Sequence, residues 1–468
     1  MRTFGGFIAL GLIAVALTVY ARNPAHRYSG EGFLAFACAG AAVAGHHDPY
    51  VIEPLRTCEH RADPRFFSST RYAQQWVEPA PLPPYALAGF GLLAAMPFAA
   101  AETVWYVTLF LAVWAAALLA WRVTGVHPVI ACFALCVPAA TNIYYGELVP
   151  LVVAGILLCA FGLLRARRLL ACAGAVITLI EPHVGLPLFL ALLIGDRSLR
   201  ALLILSALAL AALSLLASGF EVNLQYFTRT LPLHARAEIG AIDQYSLTWV
   251  AHVIGMPDDA ALVVGSVCYT AVLVAGVAAG LFLSRHHRAP AFLALTPPAF
   301  AVIGGAFVHD LQLMAAVPLA FGMTTLRPRS FWPWIAIVLL SIPGSWLWWS
   351  KPLLALWVLS SSVVSIWPLS RRFAGSRLWA AIVLICTGFA CLAIVMHHFA
   401  SVSPASHAAL PNLPSDASAS VMWAASLLPW PHVEIALALS KCAGWAGLAI
   451  LASMAVRAAG RRDRAPVP

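Results

Sequence analysis

Five groups of ionisable residues interrupt a chain that is otherwise apolar: Glu31 with Asp48, Glu147, Glu181 with His183, Asp243 with Gln244, and His309 with Asp310. Each charge inside a membrane costs about 2.5 to 3.5 kcal/mol on insertion scales, so each calls for a reason beyond folding. A carboxylate beside a membrane cavity can act as general base on an acceptor hydroxyl, provided that hydroxyl is held in line with a sugar carbon. A phosphate leaving that carbon needs donors or a cation. His183, His309, Arg229 and Arg236 are donors of that kind. The densest polar stretch, residues 31–59, holds Glu31, Asp48, Glu53 and Glu59, two histidines and two cysteines. It is expected to form the catalytic or ligand-holding loop, with Glu31 the first choice for general base and Asp48 the second choice.

The elements that must position these residues follow from composition. Of 468 residues, 62% are hydrophobic and 10% charged, against roughly 25% charged in a soluble protein. Apolar runs of membrane-spanning length recur, and the alternation of a transmembrane barrel is absent. The fold class is therefore all-α, a polytopic integral membrane protein. About fourteen spans are expected, near 4–20, 103–121, 127–140, 147–164, 169–180, 183–195, 200–218, 260–283, 289–307, 311–325, 330–348, 353–369, 378–398 and 431–455. The first resembles a signal peptide in length but lacks a clear cleavage site, which favours a retained anchor. Residues 85–100 break the alternation and are expected to form a re-entrant or interfacial helix, which Pro83 and Pro84 would open.

Arginines fix the orientation. The net charge of +9 sits in short connectors, among them Arg122, residues 165–168, 197–200, 285–288, 327–329 and 371–377, and the tail. Placing all of them in the cytoplasm obeys the positive-inside rule and leaves no reason to expect nucleic-acid binding. Both termini are then cytoplasmic. Only Asp196 and Asp463 stay on that side, so the carboxylates point to chemistry on the outer or periplasmic face of the cell (inner) membrane. The chain reads as one integral membrane domain, with outer segments at 21–102 and 219–259 and a flexible Ser, Ala and Pro-rich loop at 399–430. Cys38 and Cys58 could pair if the first loop faces an oxidising space. Walker, Rossmann, HExxH and paired CxxC patterns are absent. His46, His47 and Asp48 lack a further ligand at sensible spacing, so no metal site is assigned and no cofactor is certain; a divalent cation is left open.

The order of several motifs resembles glycosyltransferase family 87 of the GT-C superfamily, integral membrane enzymes that use polyprenyl-phosphate sugars. The likeness runs through most of residues 1–325. It covers Phe33 to Phe36 through Gly45, Asp48-Pro49-Tyr50, Pro83-Pro84-Tyr85, Pro97, Trp105, Gly146-Glu147, residues 165–168, Glu181-Pro182, residues 243–246, His309-Asp310 and Pro318. In this alignment the family's catalytic aspartate falls at Gly32, one step after Glu31; Glu147 stands where glutamine is common, and Glu181 where lysine is common. The resemblance implies a GT-C-like fold and transfer of a hexose, such as mannose, or a pentose from a polyprenyl-phosphate-linked donor to a lipid or glycan acceptor, among membrane lipids and by a general-base inverting mechanism. Glu147, Glu181, His183, Asp243, Gln244, His309 and Asp310 would line the cavity. A transporter or flippase of lipid-linked sugars, and a catalytically degenerate relative, are the alternatives.

Overall fold

A computed structural model describes residues 30–62, 77–241, 244–341, 413–426 and 434–460. The expected spans at 4–20, 353–369 and 378–398, Asp243 and most of the 399–430 loop lie outside the described residues. Helices account for 79% of the structure, and the described residues contain no strand beyond isolated bridges.

Four helices are long and apolar enough to cross a membrane: α4 (Phe98–Thr124), α9 (Arg200–Gln225) with its continuation to Ala237, α12 (Asp258–His286), and Lys441–Ala459 within α17 (Glu434–Gly460). A 27-residue helix such as α4 rises roughly 40 Å, more than the roughly 30 Å of bilayer hydrocarbon. The outward faces of α9 and α12 carry Leu205, Leu208, Leu216 and Val274, all exposed. Apolar faces of that extent suit lipid rather than water.

The shorter helices pack inside. They are α1 (Glu31–Ala44), α2 (Ile52–Ala62), α3 (Pro84–Ala94), α5 (Pro128–Tyr145), α6 (Val149–Leu164), α7 (Arg168–Thr178), α8 (Pro182–Gly195), α10 (Leu231–Ala237), α11 (Leu247–Val253), α13 (Phe292–Ala301), α14 (Val317–Leu326), α15 (Trp332–Ser341) and α16 (Ala419–Ser426). A π turn, Tyr226–Thr230, joins α9 to α10, and a 3-10 turn, Asp310–Ala316, leads into α14. Pro84 occupies the first turn of α3, where its missing N–H costs nothing. Eleven residues rise only about 16 Å, too little for a full crossing.

Glycine sets how closely these helices meet. A Cβ on Gly40 of α1 would lie 2.6 Å from the backbone of Gly91 in α3. One on Gly174 of α7 would lie 2.4 Å from the Cys159 nitrogen of α6. Backbones this close gain dispersion contacts that larger residues would forbid, as membrane helix pairs commonly do. The α7 and α8 pair forms a hairpin around Glu181, and Tyr85 clamps it by donating its hydroxyl to the Leu179 carbonyl at 2.6 Å.

Cys38 of α1 and Cys58 of α2 form a disulfide. The cross-link removes loop-closure entropy from the unfolded chain, worth about 3 kcal/mol for a loop of this size. Replacing both cysteines with serine is expected to lower the thermal midpoint of the detergent-solubilised protein by several degrees. An unchanged midpoint would contradict a closed loop here.

Residues 413–426, part of the segment expected to be flexible, are docked. The Ile52 N–H donates to the Ala417 carbonyl at 2.9 Å, and the Ala419 N–H to the Tyr50 carbonyl at 2.9 Å. This pairing brings α16 down over α10.

Candidate active site

A cavity of ≈ 1370 Å³ lies where these short elements converge. The amino end of α1, the turn before α6, the tip of the α7 and α8 hairpin and residues 305–312 supply a polar wall. Leu262, Val263 and Val267 of α12 supply an apolar one. Glu31, Glu147, Glu181, His183, His309 and Asp310 all face it, so six of the expected residues come together.

The polar wall is built around two glycines. Gly146 takes φ +79°, a left-handed conformation that suits glycine, and so ends α5 and turns the chain toward α6. Trp105 of α4 fixes the turn by donating Nε1–H to the Gly146 carbonyl at 2.7 Å, and Phe33 stacks on Trp105 with ring centres 5.9 Å apart. The Gly30 N–H reaches the Tyr144 carbonyl at 2.8 Å. The start of α1 and the turn carrying Glu147 are thereby one unit.

On the neighbouring side stand three carboxyls, Glu31, Glu59 and Glu78, of which sequence reading assigned a catalytic role only to Glu31. Glu78 faces the cavity and shares a side-chain hydrogen bond with Glu31. Its own N–H donates to both oxygens of Glu59, at 3.2 and 3.3 Å. Burial, and then the charges of Glu31 and Glu59, raise Glu78 well above the ordinary carboxylate range. The shift favours the protonated form of Glu78, the form that can donate to Glu31. Burial raises Glu59 likewise. A carboxyl raised in this way binds its proton more tightly folded than unfolded, so stability falls as pH climbs from about 4.3 toward the raised value, by up to about 1.4 kcal/mol per pH unit for each group. Glu59→Gln should flatten that fall and raise the unfolding midpoint at pH 8. Thermal melts between pH 5 and 8 test it, and an unchanged slope would contradict it.

The opposite side is organised by Glu238, also missed from the sequence. Its carboxylate accepts the Trp423 Nε1–H at 2.7 Å and the His309 Nε2–H at 3.2 Å, and the His234 ring nitrogen lies 3.7 Å away. Burial disfavours its charge, but His309, His234 and Trp423 outweigh burial and hold Glu238 below its ordinary value. His309 is further fixed at the start of the 3-10 turn, where its N–H donates to Gln312 Oε1 at 2.9 Å. Gln312 also reaches Glu181 Oε2 at 3.4 Å, and His183 Nδ1 lies 3.5 Å from the same oxygen. Glu181 and Glu147 are close enough for their charges to oppose each other.

Two expected residues have other places. Gln244 is fully buried and does not line the cavity; its Oε1 accepts the Val308 N–H at 2.7 Å and the Tyr245 N–H at 3.1 Å, pinning the extended backbone that presents His309. Asp48 is half-buried and not on the cavity wall; its Oδ1 accepts the Tyr50 N–H at 2.9 Å, closing a turn beside Arg229 and Glu221. Arg229 and Arg236 both line the cavity, and exposed Arg236 also pairs with Asp259. The i, i+4 spacing of His234 and Glu238 was a readable signal of that pair; nothing in the sequence tied Glu78 or Trp423 to the site. Among the described residues no three side chains of ligating type converge as a metal cage.

Residues 82–304 match the family model of glycosyltransferase family 87, the family whose motif order the sequence resembles. No curated protein and no solved structure matches the chain. The matched family is one of glycosyltransferases, and the long apolar helices are those of a membrane protein.

Proposed function

We propose that this membrane glycosyltransferase moves a hexose or pentose from a polyprenyl-phosphate-linked donor to a lipid or polysaccharide acceptor, within the cavity and on the outer side of the membrane. The observation that carries the reading is the two-sided wall: carboxylates Glu31 and Glu147, and the imidazoles of His183 and His309 with Arg229, face an apolar surface of α12. A wall carboxylate takes the proton of the acceptor hydroxyl. The acceptor oxygen attacks the anomeric carbon, and the bond from that carbon to the phosphate oxygen breaks, its electron pair leaving with the lipid phosphate. His309, His183 and Arg229 are the groups available to hold that phosphate. The apolar surface suits the lipid's first isoprene units.

The disulfide between Cys38 and Cys58 supports an oxidising side, and so the outer face, since cytosolic thiols stay reduced. The multi-pass arrangement in the inner membrane, with both termini cytoplasmic, rests on the arginine connectors.

The test is a purified full-length protein offered radiolabelled polyprenyl-phosphate sugars, with free polyprenyl phosphate measured. Release that depends on an acceptor is expected. Tight binding without release would instead indicate a binding relative, and ligand-driven exchange between inward and outward forms a transporter.

A further inference from the structure

Gly32 is the second residue of α1, where most side chains would be accommodated at a helix surface, yet it has no room for one. A Cβ built there lies 2.5 Å from Oε1 of Glu147 and 3.0 Å from the Tyr145 carbonyl oxygen. The carboxylate of Glu147 occupies the volume in which a side chain at position 32 would begin. Positions 32 and 147, two of the three at which the sequence departs from the resemblance, are therefore in contact.

The surroundings hold the backbone that carries that carboxylate in one place. Gly146 cannot take a Cβ without coming within 2.9 Å of the Phe33 Cβ, and Trp105 grips its carbonyl. The Glu147 N–H donates to the Asn142 carbonyl at 2.7 Å. The carboxylate also stands at the amino ends of both α1 and α6, whose partial positive charge suits an anion. Proton transfer is efficient only when the base is held in line with its donor, and this turn fixes the backbone from which Glu147 reaches the cavity.

We propose that Glu147 is the catalytic base of the transfer, and that position 32 is glycine because the Glu147 carboxylate fills its side-chain space. This rests on the glycosyl-transfer reading and names the group that performs its proton step. Glu147 takes the acceptor hydroxyl's proton as the acceptor oxygen bonds to the anomeric carbon and the lipid phosphate departs with the electron pair. Glu31, bonded to Glu78, is a neighbouring proton-sharing carboxyl that positions rather than reacts.

The geometry predicts that a carboxylate is transferable between the two positions. Full-length Glu147→Gln, Gly32→Asp with Glu147→Gln, and Glu31→Gln proteins are assayed for transfer from a labelled polyprenyl-phosphate sugar, alongside equilibrium binding of the same donor. Glu147→Gln is expected to lower turnover about a hundredfold or more while donor binding stays within about threefold. Adding Gly32→Asp is expected to restore turnover at least about tenfold, with the acid limb of the pH profile moved toward the lower intrinsic value of aspartate. Glu31→Gln is expected to lose less than Glu147→Gln. Full activity in Glu147→Gln overturns the proposal, as does a donor-binding double variant no faster than Glu147→Gln. Wild-type protein that transfers from no donor overturns the glycosyl-transfer reading, and this proposal with it.

Discussion

Gly32→Ala is expected to lower sugar transfer at least about tenfold while leaving the protein nearly as stable as before. The new methyl would start 2.5 Å from Glu147 Oε1, which no pair of non-bonded atoms tolerates. What must move is the far end of a glutamate side chain, which swings at small cost, because the Gly146 turn behind it is held by Trp105 and Phe33. Alanine in a helix is favoured over glycine by about 1 kcal/mol, which offsets part of the displacement. The expected signature is a large fall in turnover with a thermal midpoint within a few degrees. Paired activity and melting measurements on one preparation test it. Unchanged turnover would show that the carboxylate's place is immaterial.

Glu238→Ala is expected to do the reverse and cost fold as well as activity. The substitution removes the buried carboxylate that accepts from Trp423 Nε1 and from His309 Nε2. Breaking one side of a buried ionic pair typically costs about 3 to 5 kcal/mol. The same change frees α16 from α10 on the side where Trp423 faces the cavity, and it releases the His309 ring. Glu238→Gln keeps one acceptor oxygen and should recover most of the stability. Its amide cannot hold the imidazole as a carboxylate does, so turnover should stay depressed. Chemical unfolding of the two variants separates these effects, and equal stability of Glu238→Ala and wild type would contradict them.

The helical class and the membrane setting were legible because a period of apolar runs and arginine connectors needs no tertiary information. Boundaries were less so. The run expected to span 289–307 forms a helix only over Phe292–Ala301, which contains Pro297 and Pro298 and is followed by Gly304 and Gly305. The run expected over 311–325 opens with a 3-10 turn because His309 and Gln312 cap each other there.

Within the site, residue type was readable and partnership was not. Glu31, Glu147, Glu181, His183, His309 and Asp310 stood out as ionisable groups in apolar surroundings, and they do share one cavity. Gln244 carried the same signal but serves the backbone, since a buried amide is equally apt to satisfy backbone N–H groups. Trp423 was invisible because its segment is rich in Ser, Ala and Pro, and its order comes from pairing with Tyr50 and Ile52. The meaning of Gly32 could not be read locally at all. It depends on which side chain from a distant turn fills the space.

The most direct measurement of the central claim is the stoichiometry and stereochemistry of one turnover. Polyprenyl phosphate released and sugar joined to acceptor are counted together, and the anomeric configuration of the product is read by NMR. The account predicts one lipid phosphate freed per sugar transferred, with the anomeric centre inverted. Retention of configuration, or donor carried across the membrane with its sugar still attached, would contradict it.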